Sequence, residues 1–408
     1  MIRKVAKNTA LLSVSQITAR AIGFFYFIFL ARRLGVEKLG YYTFTLAFVY
    51  NFFPIADFGL ERLTLRDVSK NLAKAQFYFA RLLPLRLILG VLGYLGILGI
   101  AVILGQSRQE VQYLAIFGLG LIPYNLINLI IALQNAREKM EYMAVTNVTL
   151  NALAVSFGLV FVLLNFSLNW ILLAYFLAHS LVLLWFLGRL GKLGLEVKFE
   201  IDWQFWRQAL SQSWVFAALL ILAVFYLRLS VIMVGLIKGA EATGLYGSAF
   251  KFIEAGILIP QSLALALFPL SARLFSEDRE KLKGVYVRGL GFFGILGLLA
   301  GLAMVIGAGF VIPLIYSERY LGAVPVFSIL GLAMILFFMN ALPGNIIQNS
   351  PKVKWFLPLA ALNFLIVAAL GLFLIPRFSI LGAAWAVVGG EVAGLIINNW
   401  FVWQILKK

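Results

Sequence analysis

Residues 214–237 read WVFAALLILAVFYLRLSVIMVGLI, an apolar run whose single charge is Arg228. A bilayer hydrocarbon core of about 30 Å takes roughly 20 helical residues, so this run is long enough to cross it. An arginine at that depth costs roughly 2.5–3.5 kcal/mol on insertion scales, and such groups usually face a wet cavity or a partner. The next apolar stretch carries Lys251, and the first one carries Arg20. Three deep cations point to a transporter with a cationic interior and an anionic substrate.

The composition agrees with a membrane solvent. The 408 residues are 62% hydrophobic and 12% charged, with 36 Phe, whereas soluble domains carry about 25% charged residues. No hydrophilic segment is large enough for an extramembrane domain. The net charge of +17 does not call for nucleic acid, because cytoplasmic loops of membrane proteins are rich in Lys and Arg. Without Cys and with one His, zinc sites, disulfides and thiol nucleophiles are nearly excluded, as are His-based triads. The set calls for no cofactor and no metal. Arg3, Lys4 and Lys7 precede an apolar run from Thr9 to Ala31 that is too long for a signal-peptide core. It is expected to remain as the first helix.

Twelve membrane helices are expected, over 9–31, 40–60, 82–104, 111–133, 143–164, 168–188, 210–237, 242–270, 289–316, 320–347, 355–375 and 379–404. The runs do not alternate as barrel strands would. With the N-terminus inside, the outer side holds only Arg32, Arg33, Lys38, Arg108, Lys238, Arg319 and Arg377. Arg20, Arg86, Arg228 and Lys251 lie within helices, and the rest of the 34 basic residues fall inside. This bias predicts cytoplasmic termini in the inner membrane.

The chain repeats itself. Gly35-Val36-Glu37-Lys38-Leu39-Gly40-Tyr41-Tyr42 matches Gly239-Ala240-Glu241-Ala242-Thr243-Gly244-Leu245-Tyr246, and the same offset lays Gly90 and Gly93 on Gly294 and Gly297. Leu133-Gln134-Asn135 then matches Ile347-Gln348-Asn349. The expected architecture is therefore an all-α polytopic protein of about 12 transmembrane helices. Its two six-helix lobes, residues 1–196 and 197–408, form a parallel repeat with the substrate site between them. Glycines at 90, 93, 96 and 99, and at 291, 294, 297 and 301, are read as helix-packing seams. The GxGxxG spelled by Gly289, Gly291 and Gly294 has no strand before it and no nucleotide meaning.

Leu30-Ala31-Arg32-Arg33-Leu34-Gly35 through Tyr42, followed by Asp57-Phe58-Gly59-Leu60, resembles the opening of the polysaccharide-type, Wzx-like flippases. These belong to the multidrug/oligosaccharidyl-lipid/polysaccharide (MOP) exporter superfamily. Thr243-Gly244-Leu245-Tyr246-Gly247-Ser248-Ala249-Phe250-Lys251, with Pro260 and Phe268-Pro269, resembles the same family's eighth helix. The resemblance implies a MOP/MATE-like fold around a central cavity. It also implies alternating access that moves a lipid-diphosphate-linked oligosaccharide to the outer leaflet. Implied partners are that anionic lipid-linked oligosaccharide, membrane lipids, a proton or cation gradient, and polysaccharide polymerase or assembly proteins.

A diphosphate headgroup calls for Arg and Lys, and sugars call for amides. Candidate substrate contacts are Arg20, Arg228, Lys251, Gln16, Asn125 and Asn151. Ser13 and Gln16 share a face with Arg20. Asp57, Glu254 and Glu391 are candidates for coupling or for charge pairing, and an arginine is the expected partner of Glu391. Lys251 and Glu254, three residues apart, form either an internal salt bridge or part of the cavity. Arg86 can snorkel to the headgroups and is expected to be structural, and His179 is expected to serve helix packing or to titrate. Pro54, Pro260, Pro325 and Pro343 are read as helix bends.

Two other functions compete. A cation-coupled multidrug exporter of the same superfamily would want an acidic cavity. A membrane glycosyltransferase or polymerase would need carboxylates on a sizeable outer loop, whereas 165–169 carries no charge.

Overall fold

The computed structural model describes the backbone of residues 2–350 and 353–407 and the side chains of 11, 12, 14–348, 350 and 355–407. The expected stripe through Ser13 therefore lies outside the described side chains. All regular structure among the described residues is helical.

Helix α1 spans Ile2–Leu34 and ends at Gly35, whose φ of 79° is open to glycine at no steric cost. The second crossing is broken into α2 (Val36–Tyr50), α3 (Phe52–Asp57) and α4 (Leu60–Lys70). Phe58 and Gly59 make the second break with φ of 49° and 74°, and the Phe58 N–H donates to the Pro54 carbonyl at 2.9 Å. At Gly59 a β-carbon would stand 2.6 Å from the Ser213 carbonyl oxygen, so glycine is required there twice over. Five helices follow: α5 (Ala75–Ile103), α6 (Arg108–Gly118), α7 (Leu121–Ala136), α8 (Glu141–Leu163) and α9 (Leu168–Leu187). Ser107 caps α6, accepting from the Glu110 N–H while Glu110 accepts from the Ser107 N–H at 2.9 Å.

Two later helices exceed any bilayer. α10 runs Trp203–Gly256, and α14 runs Val353–Leu406. Each has 54 residues, a length of about 80 Å if straight. Both turn back instead. α10 breaks at Gly239 (φ 80°), and Arg228 meets Glu254 at 3.5 Å across the break. α14 breaks at Ser379 (φ 52°), where a β-carbon on Gly382 would strike the Leu374 carbonyl. Between them lie α11 (Leu258–Glu277), α12 (Arg279–Tyr316) and α13 (Val324–Asn349). Among the described residues ten apolar segments are long enough to cross a bilayer, and two of them contain the breaks at Gly239 and Ser379.

Contacts divide the chain into two units, Met1–Arg33 with Thr45–Phe225, and Leu34–Phe44 with Tyr226–Lys408. The expected lobe boundary at 196/197 falls inside the first unit. That unit packs around Leu60, Phe79, Leu82, Leu129, Leu133 and Phe186. The second has a cluster at one end of α12 to α14 that includes Leu282, Tyr286, Ile346 and Val402.

Prolines correct one expectation. Pro54, Pro260 and Pro325 sit in the first turns of α3, α11 and α13, where a missing N–H costs nothing. They start helices after breaks, while Pro343 lies inside α13. The glycine seams are real in part. Gly297 and Gly301 press on Ile335 and Gly331, and Gly93 on Leu121, whereas Gly99 and Gly291 face open space.

Candidate functional site

In the second unit, the two limbs of α10 bring Arg228, Lys251 and Glu254 together. Lys251 and Glu254 share a helical face by their i, i+3 spacing, and Nζ reaches Oε2 at 2.7 Å. Arg228 reaches Oε1 of the same carboxylate from the other limb at 3.5 Å. Two cations thus converge on one carboxylate. Their side chains keep 23% to 26% of their surface, enough for a ligand to touch them.

Two residues before Arg228, and nearly opposite it on the helix, Tyr226 points to a second cluster. Its hydroxyl donates to Glu391 Oε1 at 2.7 Å. Asn340 of α13 donates to Oε2 at 2.8 Å and to the Glu391 carbonyl at 3.0 Å. Asn398 in turn donates to Asn340 Oδ1 at 3.0 Å. Asn363 stands beside Gly394, and its Oδ1 is buried without a partner. The glycines around Glu391 create the room, since a β-carbon on Gly390 would collide with Val367. Glu391 is 2% exposed, and among the described residues no cation lies within ion-pair distance of it. The arginine expected beside Glu391 is therefore replaced by a phenol and amides.

The first unit holds a closed ion pair. Arg86 Nη1 lies 2.6 Å from Asp57 Oδ1 and donates to Asn125 Oδ1 at 2.8 Å. Asn125 Nδ2 returns a bond to the Arg86 carbonyl at 2.7 Å and one to Ala56 O at 3.2 Å. Arg86 is 0% exposed, so it does not snorkel. The break at Phe58–Gly59 ends α3 where the Asp57 carboxylate meets it. Asn125, expected at the substrate, is also fully buried, with its amide used up by this pair.

The remaining candidates belong to the first unit. Gln16 and Arg20 are exposed on α1. Asn151 is half-buried on α8 and donates to the Asn147 carbonyl at 2.9 Å. His179 is buried, its Nδ1 2.8 Å from the Tyr175 carbonyl, and stacks near Tyr175 and Tyr124. Tyr226, Asn363 and Asn398 were not singled out by sequence. The only signal was a polar group inside an apolar run, which many helices share.

Comparison with known proteins agrees with this architecture. A family model described as "Polysaccharide biosynthesis protein" matches residues 5–275. A curated relative, the uncharacterized membrane protein MJ1068 of Methanocaldococcus jannaschii, is 24% identical over 150 residues. That stretch is 36% of this chain and spans only 29% of the relative's length. An inward-facing multidrug resistance MATE family transporter of the MOP superfamily superposes with a TM-score of 0.77 at 15% identity, over 96% of this chain and 95% of that one. The lipid II flippase MurJ, in an inward closed conformation, gives 0.77 at 14% identity over 98% and 89%. A MOP superfamily transporter from Pyrococcus furiosus, whose binding pocket is described as reversed in polarity, gives 0.67 at 17% over 98% and 96%. At these identities the structures speak for the fold, and the family match speaks for kinship. The chain belongs to the polysaccharide biosynthesis protein family and has the all-α, multi-pass membrane fold of the MOP superfamily.

Proposed function

We propose that this protein is a flippase that carries a lipid-diphosphate-linked oligosaccharide, a polysaccharide repeat unit, from the inner to the outer leaflet by alternating access. The observation that carries the reading is the convergence of Arg228 and Lys251 on Glu254. The trio holds two positive charges and one negative, at membrane depth and open to a ligand. Diphosphate oxygens accept charge-assisted hydrogen bonds from such groups, and low local dielectric strengthens them. Glu254 holds the two cations at a fixed spacing and gives way to phosphate when substrate arrives. Arg20 and Gln16, exposed on α1, are further candidate headgroup contacts, and Asn151 is a candidate sugar contact. The lipid tail stays in the bilayer, so no bond is made or broken in the step.

Glu391 supplies the coupling. Among the described residues the buried Glu391 carboxylate meets Tyr226 and Asn340 and no cation, and neutrality is regained by binding a proton or a small cation. Glu391→Gln keeps both hydrogen-bonding partners and removes the charge. Transport by this variant in liposomes should stop responding to an imposed proton or sodium gradient. An undiminished response in Glu391→Gln would remove Glu391 from the coupling role. Export of cationic dyes without movement of lipid-linked sugar would favour a drug exporter instead.

A further inference from the structure

The connection after α9 does more than join helices. From Leu195 to Asp202 the chain has no helical structure, and Glu-Val-Lys-Phe-Glu-Ile-Asp-Trp over 196–203 alternates polar and apolar residues. In an extended chain such alternation puts the two kinds on opposite sides.

The polar side is fastened to α5. The Gln76 amide donates to the Glu196 carbonyl and accepts from the Glu196 N–H, both at 2.9 Å, and the Glu200 N–H donates to Ala80 O at 3.1 Å. Arg81 pairs with Glu200 and with Asp202, each at 2.9 Å, and Glu196 meets Lys198 at 2.7 Å. The Trp206 ring N–H donates to the Arg81 carbonyl at 2.7 Å. The apolar residues are open, Val197, Phe199, Ile201 and Trp203 being 53%, 61%, 66% and 73% exposed, and so are the side chains of Glu196 and Lys198.

We infer that this strap lies in the headgroup layer of the membrane the protein spans, with Val197, Phe199, Ile201 and Trp203 inserted among the lipids. Three observations select lipid as the occupant. Leu184, Trp185 and Leu187, at the end of the membrane-length helix α9 a few residues before the strap, are likewise exposed. Arg189 stacks on Trp185 at 4.3 Å, and a Trp with a guanidinium over its ring is a typical headgroup-level pairing. Arg189, Lys192 and Arg207 flank the strap, which suits anionic lipid heads. The strap and its α5 anchor both belong to the first unit, so it fixes the depth and tilt of that unit in the leaflet.

The chain has no cysteine, so single cysteines at 196 to 201 can be labelled directly with an environment-sensitive fluorophore. In liposomes containing nitroxide-labelled phospholipid, labels at 197, 199 and 201 should be quenched by lipid, with loss of that quenching at 196 and 198. Arg81→Gln should release the strap and erase the alternation. Uniform quenching along the strap in the otherwise unaltered protein would overturn the inference. So would apolar-side labels shielded from both the lipid nitroxide and aqueous iodide, which would mean that protein covers them.

Discussion

Gly40 and Gly244 pack against each other's helices reciprocally. A β-carbon on Gly40 would strike the carbonyl of Ala240, and one on Gly244 would strike the carbonyl of Val36. Residues 36 and 240, like 40 and 244, are equivalents in the internal repeat. Reciprocal contact is what a two-fold relation between equivalent segments demands. The repeat seen in sequence is thus a packing device, with backbone touching backbone inside the second unit.

Since a backbone carbonyl cannot step aside, Gly40→Leu or Gly244→Leu should cost about 3 kcal/mol or more. Thermal melts in detergent should show it as loss of a cooperative transition. Gly291→Ala faces open space and should shift stability by less than about 1 kcal/mol. Equal effects at the two kinds of position would contradict the packing account.

The Asp57–Arg86 pair makes a second prediction. Removing Arg86 alone (Arg86→Met) strands a buried carboxylate and should cost about 3–5 kcal/mol. The double variant Asp57→Leu, Arg86→Met should recover much of that loss. A double-mutant cycle on melting temperatures measures it, and additive losses would contradict the closed pair.

Glu391→Ala should be worse for the fold than Glu391→Gln. The alanine removes the carboxylate that accepts from the buried Tyr226 hydroxyl and leaves the Asn340 amide only the residue-391 carbonyl, a cost of about 1–3 kcal/mol. Comparing the melting temperatures of the two variants checks the order.

Acid should loosen the strap. The Phe205 N–H, and then the Arg81 guanidinium, hold Asp202 below the ordinary aspartate value. A depressed carboxylate contributes stability above its unfolded value of about 3.9, and loses it as pH falls through the folded value. A label at Val197 should lose lipid contact over that acid range, and Asp202→Asn should remove this pH dependence.

Much of the fold was legible because the bilayer imposes length. The run 214–237 could only cross, and its arginine had to find a partner. The i, i+3 spacing exposed the Lys251–Glu254 contact, whereas the third member, Arg228, arrives only once Gly239 folds α10 back. For Arg86 a structural role was legible but its partner was not, because a cation near a helix start usually snorkels. Its partner is presented by a break at Phe58–Gly59 whose consequence is tertiary. Around Glu391, Tyr226 and Asn398 were unreadable, since they come from separate helices and neither is charged.

The most direct test is translocation of a lipid-diphosphate-oligosaccharide in liposomes by the wild type and by Arg228→Gln. A charge-assisted contact is worth about 1.5–3 kcal/mol, so the variant should be slower by about tenfold or more while eluting as folded protein. Lipid-linked sugar moved at the wild-type rate by Arg228→Gln would contradict the cationic site.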